Sequence, residues 1–97
     1  RFFGNVDYSI LFNNVTVEEG AEVKYSIVMP GTVIKKGAVV QYAIVAEDAI
    51  IESGAVVGAS PEDCANRDDW GVAVVGPNYA LGDGEYVAPK AMIGEEV

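Results

Sequence analysis

The chain has 97 residues, 51% of them apolar and 22% charged, which is enough to bury one small core and too few to build two. Fifteen acids against six bases give a formal charge of −9, which repels nucleic acid and anionic membranes, and no apolar run reaches the about 18 to 20 residues of a spanning helix. The absence of histidine removes the commonest general base and metal ligand, and a single cysteine, Cys64, can form neither an internal disulfide nor a thiolate cluster.

These counts predict no metal, no nucleic-acid partner and no membrane partner. The start Arg1-Phe2-Phe3-Gly4 has no charged-then-apolar leader, so the chain is expected in the reducing cytoplasm. A first residue other than methionine is what a piece of a longer protein, or a processed form, would show.

Written in rows of 17, the sequence repeats. The row from Val17 to Val33 and the row from Ile34 to Ile50 share Gly20 with Gly37, Ala21 with Ala38, Val23 with Val40, Tyr25 with Tyr42, Ile27 with Ile44 and Val28 with Val45. The preceding row keeps Val6, Tyr8, Ser9, Ile10 and Leu11 in register, and the following row keeps Ile51, Gly54, Ala55 and Val57. Within the rows the apolar positions Val17, Val23, Val28, Ile34, Val40, Val45, Ile51 and Val57 step by six or five residues. A second run, Val75, Leu81, Val87 and Ile93, steps by six throughout.

A helix repeats its apolar face every 3.6 residues and a half-buried strand every two, so this step fits neither as a continuous element. Short strands of β-branched residues separated by corners do fit. The sequence therefore predicts an all-β fold, a left-handed parallel β-helix of hexapeptide type. Three hexads close each triangular coil, and coils stack at about 4.8 Å. The small residues Ala21, Thr32, Ala38, Ala49, Ala55 and Ala91, four places after an inward residue, are expected to fill the corners.

Turn chemistry supplies an independent check. Three places after inward residues stand Asn14, Gly20, Gly31, Gly37, Asp48, Gly54, Asn78 and Gly84, the residue types that tolerate positive φ. Pro30, Pro77 and Pro89 each sit beside such a corner, where no ladder N–H is needed. Residues 58 to 74 have no periodicity and are mostly polar, so they read as a loop that leaves the prism, with Trp70 pinning its return. The final stretch, Val75 to Val97, adds somewhat more than one coil.

Several residue groups invite a chemical reading. Lys24, Lys35, Lys36 and Arg67 are the candidate anion or effector ligands; the alternative is that they are exposed turn and loop cations. Glu62, Asp63, Asp68 and Asp69 form an acidic loop of the kind that is ordinarily solvated. Tyr8, Tyr25 and Tyr42 recur every 17 residues and are expected to stack as an outer ladder beside Ile27 and Ile44. That strip is a candidate interface, because soluble monomers rarely leave such patches bare. No phosphate-cradling glycine string occurs, and no catalytic residue is assigned.

The stretch Tyr25 to Ala38, the Pro61-Glu62-Asp63 loop, the Trp70-Gly-Val-Ala-Val-Val-Gly76 return and the closing Val87-Ala-Pro-Lys-Ala-Met-Ile93 together resemble the C-terminal domain of bacterial glucose-1-phosphate adenylyltransferase, the ADP-glucose pyrophosphorylase family. The likeness runs from about Val6 to Ile93. It implies a left-handed β-helix that packs on an N-terminal catalytic domain, joins a tetramer and helps to bind anionic effectors. In that family the N-terminal domain uses ATP and magnesium to make ADP-glucose from glucose 1-phosphate for glycogen synthesis. The 97 residues contain none of that domain and are expected to be non-catalytic alone. Some relatives place an effector-binding arginine in the corner that here reads Ala46-Glu47-Asp48, so this chain departs from them there. The rival readings are a stand-alone hexapeptide acyltransferase, which ordinarily needs a histidine, and a purely structural scaffold.

Overall fold

In the computed structural model, which describes residues 2–94, every regular element but two short 3-10 turns is a β-strand, and every strand pairing is parallel. The chain winds as a parallel β-helix of about five turns, the left-handed hexapeptide type. The end of the expected last coil, 95–97, lies outside the described residues.

Each complete coil contributes one strand to each of three faces, and the last adds strands to two of them. Face one stacks β1 (Asn5–Asp7), β4 (Glu22–Lys24), β7 (Val39–Gln41), β10 (Val56–Val57) and β13 (Tyr86–Val87). Face two stacks β2 (Ile10–Leu11), β5 (Ile27–Val28), β8 (Ala43–Val45), β11 (Ala73–Val75) and β14 (Met92–Ile93). Face three stacks β3 (Thr16–Val17), β6 (Val33–Ile34), β9 (Ile50–Ile51) and β12 (Ala80–Leu81), with Phe2 bridging to Val17.

The stepped apolar residues point inward as the pattern requires. Val17, Val23, Val28, Ile34, Val40, Val45, Ile51, Val57 and Val75 have no exposed surface, and Leu81 and Val87 have almost none. Ala21, Thr32, Ala38, Ala49 and Ala55 are equally buried at the corners. Thr32 is satisfied there, its hydroxyl donating to the carbonyl of Ala46 at 2.9 Å. Ala91 differs, being only partly buried, because it sits in the last coil. Val15 fills the corresponding corner after Leu11.

All eight expected corner residues have positive φ, between 57° and 81°. The corners therefore form by backbone conformation at the positions that the six-residue step dictates.

The inserted loop is shorter than the sequence suggests. Strand pairing resumes at Ala73, where Ala73, Val74 and Val75 lie beside Ala43, Ile44 and Val45, so the excursion covers 58–72. Its two 3-10 turns, Pro61–Asp63 and Arg67–Asp69, are capped by Ser60 and Asn66. The Trp70 indole donates to the carbonyl of Ala59 at 2.6 Å, which ties the end of the loop to its start.

Candidate functional site

The corner between faces one and two is where the repeat steps by five residues instead of six. Removing a residue moves the left-handed position forward, from the third place after the inward residue to the second. That place holds Tyr8, Tyr25 and Tyr42, with φ of 50°, 50° and 49°. Sequence reasoning placed these tyrosines on the outer surface but missed their backbone, because tyrosine is not a residue type expected at positive φ. The five-residue step was the available signal.

This conformation aims successive rings along the prism axis. Tyr8 and Tyr25 stack with centroids 5.0 Å apart and planes 8° from parallel, and Tyr25 and Tyr42 with 4.8 Å and 14°. Trp70 closes the ladder, meeting Tyr42 edge to face at 5.6 Å and 79°. The loop thus returns at the corner where a fourth tyrosine would stand, and its indole takes that place.

Beyond the ladder lies face two. Its outward side chains pair in one row, Ile10 with Ile27, Ile27 with Ile44, Ile44 with Val74 and Val74 with Met92. Between this row and the tyrosines runs an open groove of about 360 Å³, lined by Tyr8, Tyr25, Ile10, Ile27, Ile44 and Val72 among others. The structure therefore brings the five expected interface residues onto one strip. It does not distribute exposure evenly: Tyr8 is 80% exposed and Tyr25 48%, whereas Tyr42 is half-buried.

The candidate cations are not gathered in the same way. Lys24 ends β4 on face one and pairs with Glu22 at 3.7 Å. Lys35 and Lys36 form the corner between β6 and β7, where Lys35 pairs with Glu52 of the next coil at 3.6 Å. Lys36 lines a shallow recess of about 320 Å³ with Phe3, Glu18 and Glu19. Arg67 opens the second 3-10 turn of the loop. The lysines at this corner lie between the acidic corners of the coils on either side, so their nearest opposite charges belong to the chain itself. Cys64 is a partly buried free thiol in the loop. Among the described residues no group of three or more metal-ligating side chains occurs, and no helix is long and apolar enough to cross a membrane.

Residues 3–75 match the family model described as GlmU-like, C-terminal hexapeptide. The chain belongs to this family. The GlmU-like match spans the first coils, the tyrosine ladder, the inserted loop and its return strand. Lys24, Lys35, Lys36 and Arg67 all fall inside it, and β12, β13 and β14 lie beyond it. No curated protein and no solved structure matches the chain.

One corner residue beyond the matched segment went unrecognised in the sequence. Lys90 adopts φ 73° at the corner after Val87, and its ammonium donates to the Asp68 carbonyl at 2.8 Å while its amide donates to Gly71 at 2.9 Å. Two hydrogen bonds from the last coil thus hold the end of the loop. Its position, three places after an inward residue, was visible; its residue type hid the conformation.

Proposed function

We propose that this hexapeptide domain is the non-catalytic assembly and regulatory end of a sugar-nucleotide-forming nucleotidyltransferase, specifically glucose-1-phosphate adenylyltransferase. The observation that carries the reading is where the apolar surface lies. Phe2, Phe3, Tyr8, Ile10 and Phe12, five of the large apolar side chains left exposed, all belong to the first coil. Val6 and Leu11, inward residues of that coil, are only partly covered. A β-helix end of this kind is built to be packed upon, since exposed apolar patches of this extent mark contact surfaces. The partner that this reading places there is the domain's own N-terminal catalytic domain.

The chemistry then belongs to that partner. ATP and magnesium would bind in the upstream domain, because the 97 residues hold no phosphate-cradling glycine string. The subunits would assemble as a tetramer. An anionic effector reaching this domain meets Lys24, Lys35, Lys36 or Arg67, and at Lys24 and Lys35 it competes with Glu22 and Glu52. The resemblance of the loop and its Trp70 return to the adenylyltransferase family is what favours this parent over other nucleotidyltransferases.

The test is the reading frame upstream of Arg1. The expected finding is about 250 to 300 further residues with a glycine-rich nucleotide loop after a first strand. The full protein should release pyrophosphate from ATP and glucose 1-phosphate, and the 97 residues alone should release none. A reading frame that begins at Arg1, or a full protein that accepts other sugar phosphates and rejects glucose 1-phosphate, overturns the assignment.

A further inference from the structure

The tyrosine ladder sets phenols side by side at the surface of the prism. Tyr8 and Tyr25 hold their rings 5.0 Å apart and within 8° of parallel, and both are open to solvent, at 80% and 48% exposed. Their backbones cannot drift apart, because the Tyr25 amide donates to the Asp7 carbonyl at 3.1 Å and Asp7 lies beside Lys24 on face one. The same left-handed φ of 50° at both residues sends the two side chains out in one direction. Two phenols are thereby presented to each other and to water at one corner.

We propose that Tyr8 and Tyr25 form an oxidative coupling site, at which a one-electron oxidant of phenols, such as the ferryl haem of a peroxidase, joins the two rings into a dityrosine within one chain. Each phenol gives up one electron and its hydroxyl proton, and two equivalents of the oxidant are reduced. The two phenoxyl radicals form a carbon–carbon bond between ring carbons ortho to the oxygens. The hydrogens on those carbons then move as protons, through water, to the oxygens, which restores both aromatic rings and both hydroxyls. The net change is the loss of two hydrogen atoms and a covalent tie between the first and second coils.

The placement follows from proximity and freedom to turn. Two radicals formed on one chain at these rings meet without diffusion, whereas radicals on separate chains at micromolar concentration have to find each other. Tyr8 is the end ring of the ladder, so turning its edge toward Tyr25 gives up one stack and moves no core residue. Tyr42, the next ring, is half-buried and held on both sides, by Tyr25 and by the edge-to-face contact with Trp70 at 5.6 Å. The two tyrosines outside the ladder lack such a neighbour. Tyr79 packs against the core, and Tyr86, 57% exposed, stands beside Val56 with no ring stacked on it among the described residues. The site belongs to a chain whose first coil is uncovered, and it does not rest on the adenylyltransferase reading.

The test uses the 97-residue chain carrying Cys64→Ser, which removes a competing thiol, at low micromolar concentration, with photo-oxidised ruthenium tris-bipyridine and persulfate as the oxidant. The main product should be a monomer lighter by two hydrogen atoms, with dityrosine fluorescence, and tryptic mapping should join the fragment that holds Tyr8 to the one that begins at Tyr25. Tyr8→Phe and Tyr25→Phe keep a ring in the ladder and remove the phenol, so each should lower the yield of this product at least about tenfold. Tyr86→Phe removes an equally open phenol and should leave the yield unchanged. Links between chains only, a link that joins Tyr25 to Tyr42 or uses Tyr86, or an undiminished yield from Tyr8→Phe or Tyr25→Phe overturns the proposal.

Discussion

The backbone amide of Ser26 donates to the hydroxyl of Ser9, 17 residues earlier, at 3.1 Å, and the hydroxyl of Ser26 in turn accepts from the amide of Ala43 at 3.3 Å. Each hydroxyl also donates to a carbonyl two residues back, Ser9 to Asp7 and Ser26 to Lys24, both at 2.8 Å. The serines thereby carry the inter-coil ladder across the tight corner, where the left-handed tyrosine has turned the backbone out of line. Where the repeat has Ala43 in place of serine, the next amide, that of Ala73, bonds instead to the Tyr42 carbonyl at 3.2 Å.

Ser26→Ala removes one bridge and leaves the buried amide of Ala43 without its acceptor. An unsatisfied buried donor costs about 1–3 kcal/mol, so the variant should unfold in urea with its stability lowered by that amount and its m-value unchanged. Ser9 is half-buried and its bridge to the Ser26 amide is more open to water than the buried bridge at Ala43, so the same change there should cost less. Equal losses at the two positions would mean that the bridge at Ser26 contributes nothing beyond ordinary packing.

The tyrosine ladder sets two effects against each other. A non-glycine residue in the left-handed region costs roughly 1–2 kcal/mol, and a stacked aromatic pair returns about 0.5–1.5 kcal/mol beyond its buried area. Tyr25 has a ring on both sides, so stacking wins there. Tyr25→Asn keeps a residue that tolerates positive φ and loses the stack; Tyr25→Val loses the stack and adds β-branched strain. Thermal unfolding should rank the parent above Asn and Asn above Val, with the last two about 1–2 kcal/mol apart. Val at or above Asn would refute the strain argument.

The corner lysines lead to a salt-dependent prediction. Glu18, Lys35 and Glu52 occupy successive coils, one sheet spacing apart, since Thr16 pairs with Val33 and Val33 with Ile50. The Lys35 and Glu52 side chains are both about a third exposed, which limits their pair to about 0.2–1 kcal/mol. Lys35→Glu replaces that attraction with like charges on both sides. The stability lost should be about 1 kcal/mol at low salt and should largely vanish in 1 M salt, where the screening length falls to about 3 Å. A loss independent of salt would place the effect in packing of the lysine stem.

The inward ladder and the eight Gly, Asn and Asp corners were legible because each rests on one residue type at one spacing. What stayed hidden shares a single cause. Tyr25 and Lys90 take the conformation of a glycine because their corner demands it and their contacts stabilise it, so residue type gave no warning. The early return of the loop was masked for a related reason: Val72, Ala73, Val74 and Val75 are a continuous apolar run, in which inward and outward residues look alike. The Lys35 and Glu52 pairing, by contrast, follows from the 17-residue offset alone, and it bears directly on whether those lysines wait for an anion. The apolar character of face two was readable residue by residue, but only the stacking of the coils makes five separate stretches one surface.

Two glycines with the same backbone conformation separate strain from space. Gly54 and Gly58 both have φ near 75°, so alanine at either one meets the left-handed penalty of about 1–2 kcal/mol. A Cβ on Gly54 would point into open space, whereas one on Gly58 would run into the backbone carbonyl of Gln41, at the point where the chain leaves the prism. The Gly58 carbonyl also accepts from the Gln41 side chain at 3.2 Å, so moving this backbone breaks a further contact. Gly54→Ala should therefore cost about 1–2 kcal/mol and leave the loop protected from protease. Gly58→Ala should cost about 2–5 kcal/mol, the left-handed penalty plus that of an overpacked site, and should open residues 58–72 to cleavage below the global melting temperature. Similar losses for the two variants, with the loop equally protected in both, would show that the exit of the chain at Gly58 tolerates a side chain and that the register of β11 on β8 is set elsewhere.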